Sequence, residues 1–281
     1  MKRISIIPNT EKDADLEYTK RTAKILRDFG KEVCLLSGTE ISGDYTFLPY
    51  DELVKTDMLV VLGGDGTILG VAEASARNKT PILGINIGNL GFLTQTEEVS
   101  SEIFKQIFDG NYTVSENMML SAAVIENDCE TLHFTALNDV VVKGEGARML
   151  NVKLDIDNIN TNNYPADGVI ISTATGSTAY SLSAGGAILH PELDAIMITP
   201  VCPHTLKARC MIVPSDKKVS VALLPPYRTY GVLTVDGKVV AKLNENSRVE
   251  VCKSDLRTYL INLNKRSFYD IVREKIADRR I

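Results

Sequence analysis

Along the opening stretch of the chain, short apolar runs alternate with longer segments in which apolar residues recur every three or four positions. Arg3 to Ile7, Glu32 to Ser37, Met58 to Leu62 and Pro81 to Ile87 read as strands. Glu11 to Phe29 reads as a helix, with Leu16, Ala23, Leu26 and Phe29 near one face and Gly30 as its stop. Thr67 to Arg77 and Ser101 to Phe108 read as further helices, the second closed by Gly110. Met58 to Leu62 is apolar at every position, as expected of a parallel strand covered on both faces. This βαβ order predicts a twisted, mostly parallel sheet whose ligands bind beyond the carboxyl ends of its strands. Asp65 falls at one such end. The glycine-spaced segment Asn86-Ile87-Gly88-Asn89-Leu90-Gly91-Phe92 falls at another.

The rhythm changes near residue 112. Apolar residues then alternate or cluster in short β-rich runs: Ala122–Ile125, Val140–Val142, Val152–Ile156, Val169–Ser172, Ile196–Thr199, Val219–Leu223, Gly231–Val235 and Tyr259–Leu263. One helical insertion is expected over Gly176 to Gly185. The tail returns to helical spacing through Phe268, Ile271, Val272 and Ile276, with Ser267 as N-cap and Asp270 as first-turn acid. The expected organisation is an α/β N-terminal domain with a mostly parallel sheet (1–111, completed by 264–281) and an all-β C-terminal domain (112–263). The C-terminal helix is expected to pack back on the N-terminal domain. With no repeats and no low-complexity linker, the active cleft is expected between two directly abutting domains.

Composition narrows the function. A chain of 281 residues with 44% hydrophobic and 24% charged residues is ordinary globular material. A net charge of −5 gives no electrostatic support to nucleic-acid or anionic-membrane binding. No apolar run approaches the ~20 residues that span a bilayer. The five cysteines are odd in number and scattered, with no Cys-x-x-Cys pair, which fits a reduced, cytoplasmic setting. His133, His190 and His204 show no metal-ligand spacing.

Candidate chemistry centres on Gly63-Gly64-Asp65-Gly66-Thr67, directly between an apolar strand and a helix. Glycines there let backbone N–H groups and a helix N-terminus approach a phosphate, which makes Gly63, Gly64 and Thr67 candidate phosphate-binding residues. The carboxylate at the centre repels phosphate unless a metal neutralises it or it accepts a proton from a hydroxyl. A turn aspartate that only caps the helix is the plain alternative, and Thr67 fits either a cap or a phosphate contact. The second cluster, Asp167 to Gly186, carries seven Ser/Thr residues between Ser172 and Ser183, plus Tyr180. Such donors and acceptors suit ribose and amide recognition, although a capped Ser/Thr turn has the same composition. Asn138-Asp139 suits adenine and sugar hydroxyls but is also a common turn dipeptide. The P-loop, the protein-kinase loops and the Gly-x-Ser-x-Gly elbow are absent, and Leu69 stands where a dinucleotide fingerprint needs its third glycine.

Taken in order, these pieces resemble NAD kinase. GGDGT at Gly63–Thr67, GNLGFLT at Gly88–Thr94, ND at Asn138-Asp139, DGVIISTATGSTAYSLSAGG at Asp167–Gly186, PVCPHTL at Pro200–Leu206 and DG at Asp236-Gly237 carry the resemblance over nearly the whole chain. GGDGT alone is shared with phosphofructokinases and lipid kinases. The resemblance implies a transferase that moves the γ-phosphate of ATP to the 2′-hydroxyl of the adenosine ribose of NAD, giving NADP. It also implies a divalent cation, Mg²⁺, and a homodimer or homotetramer, with no nucleic-acid or membrane partner. Carried over, Asp65 is the general base and Gly66 a substrate contact. Asn138, Asp139, Asp167, Thr178, Ala179, Tyr180, Ser181, Leu182 and Ser183 bind NAD. Arg148 and Lys238 stand where the family often places substrate contacts. Asp139 replaces the more usual glutamate, and Pro165 stands where many members carry a basic residue. The rivals are a GGDGT kinase acting on a lipid or sugar phosphate, which leaves the hydroxyl-rich block unused, and a silent NAD or NADP sensor, against which an intact Asp65 argues.

Overall fold

The computed structural model describes residues 1–88, 91–146, 148–227, 229–264 and 266–277. Asn89 and Leu90 of the second glycine loop, and residues 278–281 of the expected tail, lie outside the described residues. The chain divides into two compact units, Met1–Glu116 with Thr258–Ile281, and Asn117–Arg257.

In the first unit, β1 (Arg3–Pro8), β2 (Glu32–Leu36), β3 (Thr46–Leu48), β4 (Met58–Gly63) and β5 (Ile82–Asn86) form a parallel sheet in the order β5-β4-β1-β2-β3. The last residues of a long C-terminal strand extend it beyond β5, with Leu260 opposite Ile82. Helices α1 (Glu17–Asp28), α2 (Tyr50–Leu53), α3 (Asp65–Asn78) and α4 (Ser101–Phe108) cover the sheet. Strand alternation decides which helix meets which side chain. Ile4, Ile6, Val60, Leu62, Leu83 and Ile85 bury against Leu26 of α1 and Phe104 of α4. Leu59 and Val61 point to the other face and are equally buried, where α3 packs on β4 and β5. Each such side chain contributes roughly 1.5–3 kcal/mol of burial. The strand order reverses at β1, so the loops leaving β1 and β4 flank the sheet's switch point.

Helix α1 starts six residues later than the periodicity predicts. The Asp13 carboxylate accepts the N–H groups of Tyr18 (2.9 Å) and Thr19 (3.0 Å) and the Thr19 hydroxyl (2.7 Å), capping the helix from a preceding turn. Leu16, in left-handed conformation, ends that turn. Ser101–Phe108 is helical over the predicted span. The tail forms a helix over Phe268–Ala277 in the first unit. There the Asp270 N–H donates to Ser267 Oγ, and the Ser267 N–H and hydroxyl donate back to Asp270 Oδ2, a reciprocal cap.

The second unit is all-β apart from short turns. After β6 (Thr113–Glu126) and β7 (Cys129–Ala136) come β8 (Asp139–Gly144), β9 (Leu150–Ile156), β10 (Ile159–Ala166) and β11 (Gly168–Ser172). The chain continues through β12 (Ala195–Val201), β13 (Met211–Pro214), β14 (Val219–Leu223), β15 (Gly231–Val235), β16 (Lys238–Leu243) and β17 (Ser247–Asn262). β13-β12-β11-β8-β15-β16 is one antiparallel sheet, and β10-β9-β14-β17 with β6 and β7 is the other system. Val140, Val142, Val169 and Ile171 from the first meet Val152, Leu154, Val219 and Val249 from the second in one core. Instead of one helix over Gly176–Gly185, a 3-10 turn (Thr175–Thr178) and a single α-turn, α5 (Tyr180–Ser183), break at Ala179. β6, β8, β9, β11 and β12 extend the runs predicted within them, β17 begins twelve residues before the predicted Tyr259–Leu263 and ends one residue short of it, and β7, β10, β13 and β16 have no predicted counterpart.

Candidate active site

The first cluster sits on α3. Asp65 is its first residue, directly beyond the end of β4. Its two carboxylate oxygens accept the N–H groups of Phe92 (2.8 Å) and Leu93 (3.0 Å). The carboxylate is thereby aimed, and each oxygen keeps a further lone pair. The second glycine loop makes this possible, because a Cβ at Gly91 would overlap the Asp65 carboxylate. Among the described residues the N–H groups of Asp65 and Gly66 find no backbone acceptor, leaving the positive end of α3 open. Gly66 is exposed, and a Cβ there would meet nothing within 4 Å. Gly64 is the extended N-cap residue, with its carbonyl accepting from Thr67 (3.0 Å) and Ile68 (3.3 Å). Gly63 is buried in β4, its carbonyl taken by the Ile87 N–H. Thr67 does not cap α3 with its side chain; its hydroxyl accepts from Asn9 Nδ2 at 3.1 Å.

The second cluster is built around Leu137-Asn138-Asp139. Asp236 accepts the N–H groups of all three residues, at 2.9, 2.8 and 3.1 Å. Asp236-Gly237 forms the β15–β16 hairpin turn with φ of 46° and 79°, the pair of positive values an Asp-Gly turn favours. From the other side the Thr173 hydroxyl donates to the Leu137 carbonyl at 2.6 Å and accepts the Gly176 N–H at 2.9 Å. Gly176 is where it is because a Cβ would strike the Asn138 carbonyl. The dipeptide is thus held on both edges, and Asn138 and Asp139 are only 9% and 5% exposed.

Burial dominates the electrostatics here. It pushes the Asp139 carboxyl from its ordinary 3.8 up to about 7, with repulsion from Asp236 adding to the effect. Burial also raises Asp236, against three backbone N–H groups and the Lys238 charge, which lower it. Near neutral pH Asp139 therefore exchanges between a carboxylate and a neutral acid able to donate a hydrogen bond.

The 3-10 turn and α5 carry Thr178, Ala179, Tyr180, Ser181, Leu182 and Ser183. Thr178 and Ala179 are half-buried, while Tyr180 and Ser183 are exposed. The Ser181 hydroxyl pairs with Thr199 at 2.7 Å. Lys238 is exposed, two residues beyond Asp236. Asp167 and Arg148 are not brought to this end. Antiparallel β8 and β11 place Asp139 opposite Ser172 and Lys143 opposite Gly168, so Asp167 lies five residues, or ~17 Å, along the pair. There the Asp167 carbonyl accepts the Gly144 N–H, near the Arg148 backbone. Pro165 accepts the His204 N–H through its carbonyl.

Sequence reasoning missed the positioning role of Asp236, whose Asp-Gly spelling signals only a turn, and the Gly91 contact with Asp65, which spans 26 residues. Among the described residues no group of three or more His, Cys, Asp or Glu side chains could hold a metal ion. No helix of the described residues is long and apolar enough to cross a membrane.

The comparisons with known proteins agree on one family. Family models described as ATP-NAD kinase N-terminal domain and ATP-NAD kinase C-terminal domain match residues 4–112 and 137–263. An NAD kinase of Caldanaerobacter subterraneus subsp. tengcongensis is 40% identical, over 99% of this chain and 100% of its own. One from a Thermoanaerobacter species is 41% identical over the same shares. The solved structure of an NAD kinase from Archaeoglobus fulgidus in complex with ATP superposes with a TM-score of 0.76 at 25% identity, covering 98% of each chain. Yeast NADH kinase complexed with NADH shares the fold with a TM-score of 0.82 at 23% identity, covering 100% of this chain and 88% of that one. The chain belongs to the NAD kinase family.

Proposed function

We propose that this chain transfers the γ-phosphate of ATP to the 2′-hydroxyl of the adenosine ribose of NAD, with Asp65 as the base. The observation that carries this is the Asp65 carboxylate itself. It is aimed by two backbone N–H groups at the open N-terminus of a helix, beside a glycine whose missing side chain leaves free space. An acid placed there only to cap would take the N–H groups of its own helix; this one takes those of another loop and leaves its helix's N–H groups open.

In the proposed reaction the ribose O2′ forms a bond to Pγ as the bond from Pγ to the bridging β–γ oxygen breaks, and ADP leaves. Asp65 accepts the O2′ proton as charge moves from that oxygen to the phosphoryl group. The Asp65 and Gly66 N–H groups receive phosphate oxygens, since a helix N-terminus favours an anion. Asn138 and Asp139 recognise adenosine through the amide and the buried carboxyl. The Thr178–Ser183 turn supplies further hydroxyl and amide contacts. Asp167 and Arg148 are assigned to a more distant part of the dinucleotide, because they lie at the far end of β8 and β11. The Mg²⁺ that the family implies would find one oxygen ligand in the open lone pairs of the Asp65 carboxylate, and it would supply neutralisation of phosphate charge. The chain is assigned to a reducing cytoplasm on its five free cysteines and to a homodimer or homotetramer, which light scattering tests.

The test is a kinase assay offering NAD, diacylglycerol and fructose 6-phosphate as acceptors, with NADP read by an NADP-specific dehydrogenase. NAD is expected to be consumed with ATP. Turnover on the lipid or sugar instead, or calorimetric NAD binding without ATP consumption under any divalent metal, would overturn the assignment.

A further inference from the structure

β6 carries a polar side chain where its surroundings call for an apolar one. The run Asn117-Met118-Met119-Leu120 is buried throughout, and Asn117 is only 3% exposed. A buried amide is costly unless its hydrogen bonds are made. The Asn117 side chain reaches out of its own sheet to make one: Nδ2 donates to the Thr175 hydroxyl oxygen at 3.0 Å. Both residues lie in the second unit. β6 belongs to the sheet system of β9, β14 and β17, whereas Thr175 opens the 3-10 turn that follows β11 of the other sheet.

Thr175 stands among the residues that fix Asn138. The next residue, Gly176, packs against the Asn138 carbonyl with no room for a Cβ. Its N–H donates to the Thr173 hydroxyl, which donates in turn to the Leu137 carbonyl. On the other side the Thr178 hydroxyl donates to the Thr175 carbonyl at 3.2 Å. Thr175 thus joins the Asn138-Asp139 pair to the Thr178–Ser183 turn. A threonine hydroxyl has one proton and two lone pairs. Asn117 fills a lone pair, and among the described residues no acceptor takes the proton. The amide therefore settles the role of this hydroxyl. Thr175, 6% exposed, is left as a donor beside the buried Asn138-Asp139 pair. Accepting a hydrogen bond also polarises the hydroxyl and strengthens it as a donor.

We propose that Asn117 is a positioning residue for NAD: from β6 it holds the Thr175 hydroxyl as a donor to an acceptor atom of the adenosine, without touching the dinucleotide itself. The inference rests on the kinase reading above and on the adenosine lying against Asn138 and Asp139. Without the amide, the Thr175 hydroxyl is free to turn, and the turn that carries it loses its tie to the neighbouring sheet. The loss falls on NAD binding, because neither Asp65 nor the N-terminus of α3 takes part in this contact.

The test is a double-mutant cycle in the full chain, read by steady-state kinetics and urea unfolding. Asn117→Leu keeps the branched shape but has no N–H to give. It is expected to raise KM for NAD by ~5-fold while kcat and KM for ATP hold. Thr175→Val removes the hydroxyl and is expected to raise KM for NAD at least as much, whereas Thr175→Ser, which keeps it, stays near wild type. With valine at 175, adding Asn117→Leu should change KM for NAD by less than ~2-fold, because the group it positions is gone. An amide with a purely structural role would lower the urea midpoint and leave KM for NAD unmoved, or would give a second full rise in the valine background; either result overturns the inference. Should Asn117→Leu fail to fold, Asn117→Asp takes its place. Its carboxylate can only accept, so it draws the Thr175 proton to itself, and KM for NAD must rise although the contact persists. An unmoved KM there overturns the inference equally. A wild-type chain that makes no NADP would overturn the kinase reading itself, so the two failures are distinct.

Discussion

Asp65 and Asp139 are both aspartates at the boundary of a strand, yet they stand in opposite surroundings. Asp65 is half-buried, with each oxygen held by one N–H and half of its lone pairs open, and its glycine neighbours leave space around it. Asp139 is buried beside a half-buried carboxylate, and the backbone around it is tied down on both edges. The first environment keeps an acceptor aimed and accessible, as proton transfer requires. The second gives a fixed, desolvated surface on which a hydrogen bond to a ligand is strong and an unmade one is costly. The comparison supports the proposed division of labour: chemistry at the first aspartate, recognition at the second.

The largest expected break in this comparison is Asp65→Asn. It keeps the size and one of the two incoming N–H bonds, since its NH₂ cannot accept the other, and it cannot take a proton, so kcat is expected to fall by ~10²–10⁴-fold. The fold should persist, with the thermal midpoint lowered only by the one lost bond, and equal loss of fold and activity would show the residue to be structural. Next is Asp236→Ala, which strands the three N–H groups of Leu137, Asn138 and Asp139. At ~1–3 kcal/mol for an unsatisfied buried group, stability should fall by at least ~2 kcal/mol in urea unfolding, with KM for NAD rising. Asp236→Asn retains an acceptor oxygen and should fall between the two.

Asp139 sharpens the contrast through pH. Its carboxyl holds a proton in the native state up to about 7 but loses it near 3.8 when unfolded. Native Asp139 thus binds the extra proton between those values, and its stability contribution, complete below about 4, is lost as pH rises through about 7. Asp139→Asn should therefore match wild-type stability at pH ~4, exceed it at pH ~8 and bind NAD more weakly. A wild-type urea midpoint that does not decline relative to the variant over that range would remove the buried-acid account. The smallest effect on the fold is expected from Gly66→Ala. The chain leaves room for the methyl, and alanine is better by ~1 kcal/mol within a helix. Stability should hold or rise while turnover falls, because the open space serves the ligand. Full activity in this variant would show that the space is incidental.

These contrasts also explain what the sequence reveals. β4, β5 up to Asn86 and the cores of β8 and β11 are visible because both faces are buried and every residue is apolar. β7, β10 and β16 are hidden because half or more of their side chains are exposed, leaving no period-two pattern to read. The start of α1 is misplaced because Asp13 caps it from a turn whose own residues look helical. Asp65 announces itself, since an acid among glycines between strand and helix has few structural reasons to exist. Asp236 does not, because its task is to hold backbone N–H groups more than ninety residues away, and its local spelling is that of a hairpin turn.

The division of labour is tested most directly by calorimetric titration of NAD into Asp65→Asn. The account predicts a dissociation constant within about twofold of wild type, because recognition resides at Asn138 and Asp139 and only the proton acceptor has been removed. NAD affinity that falls in parallel with turnover would contradict it and make Asp65 a binding residue.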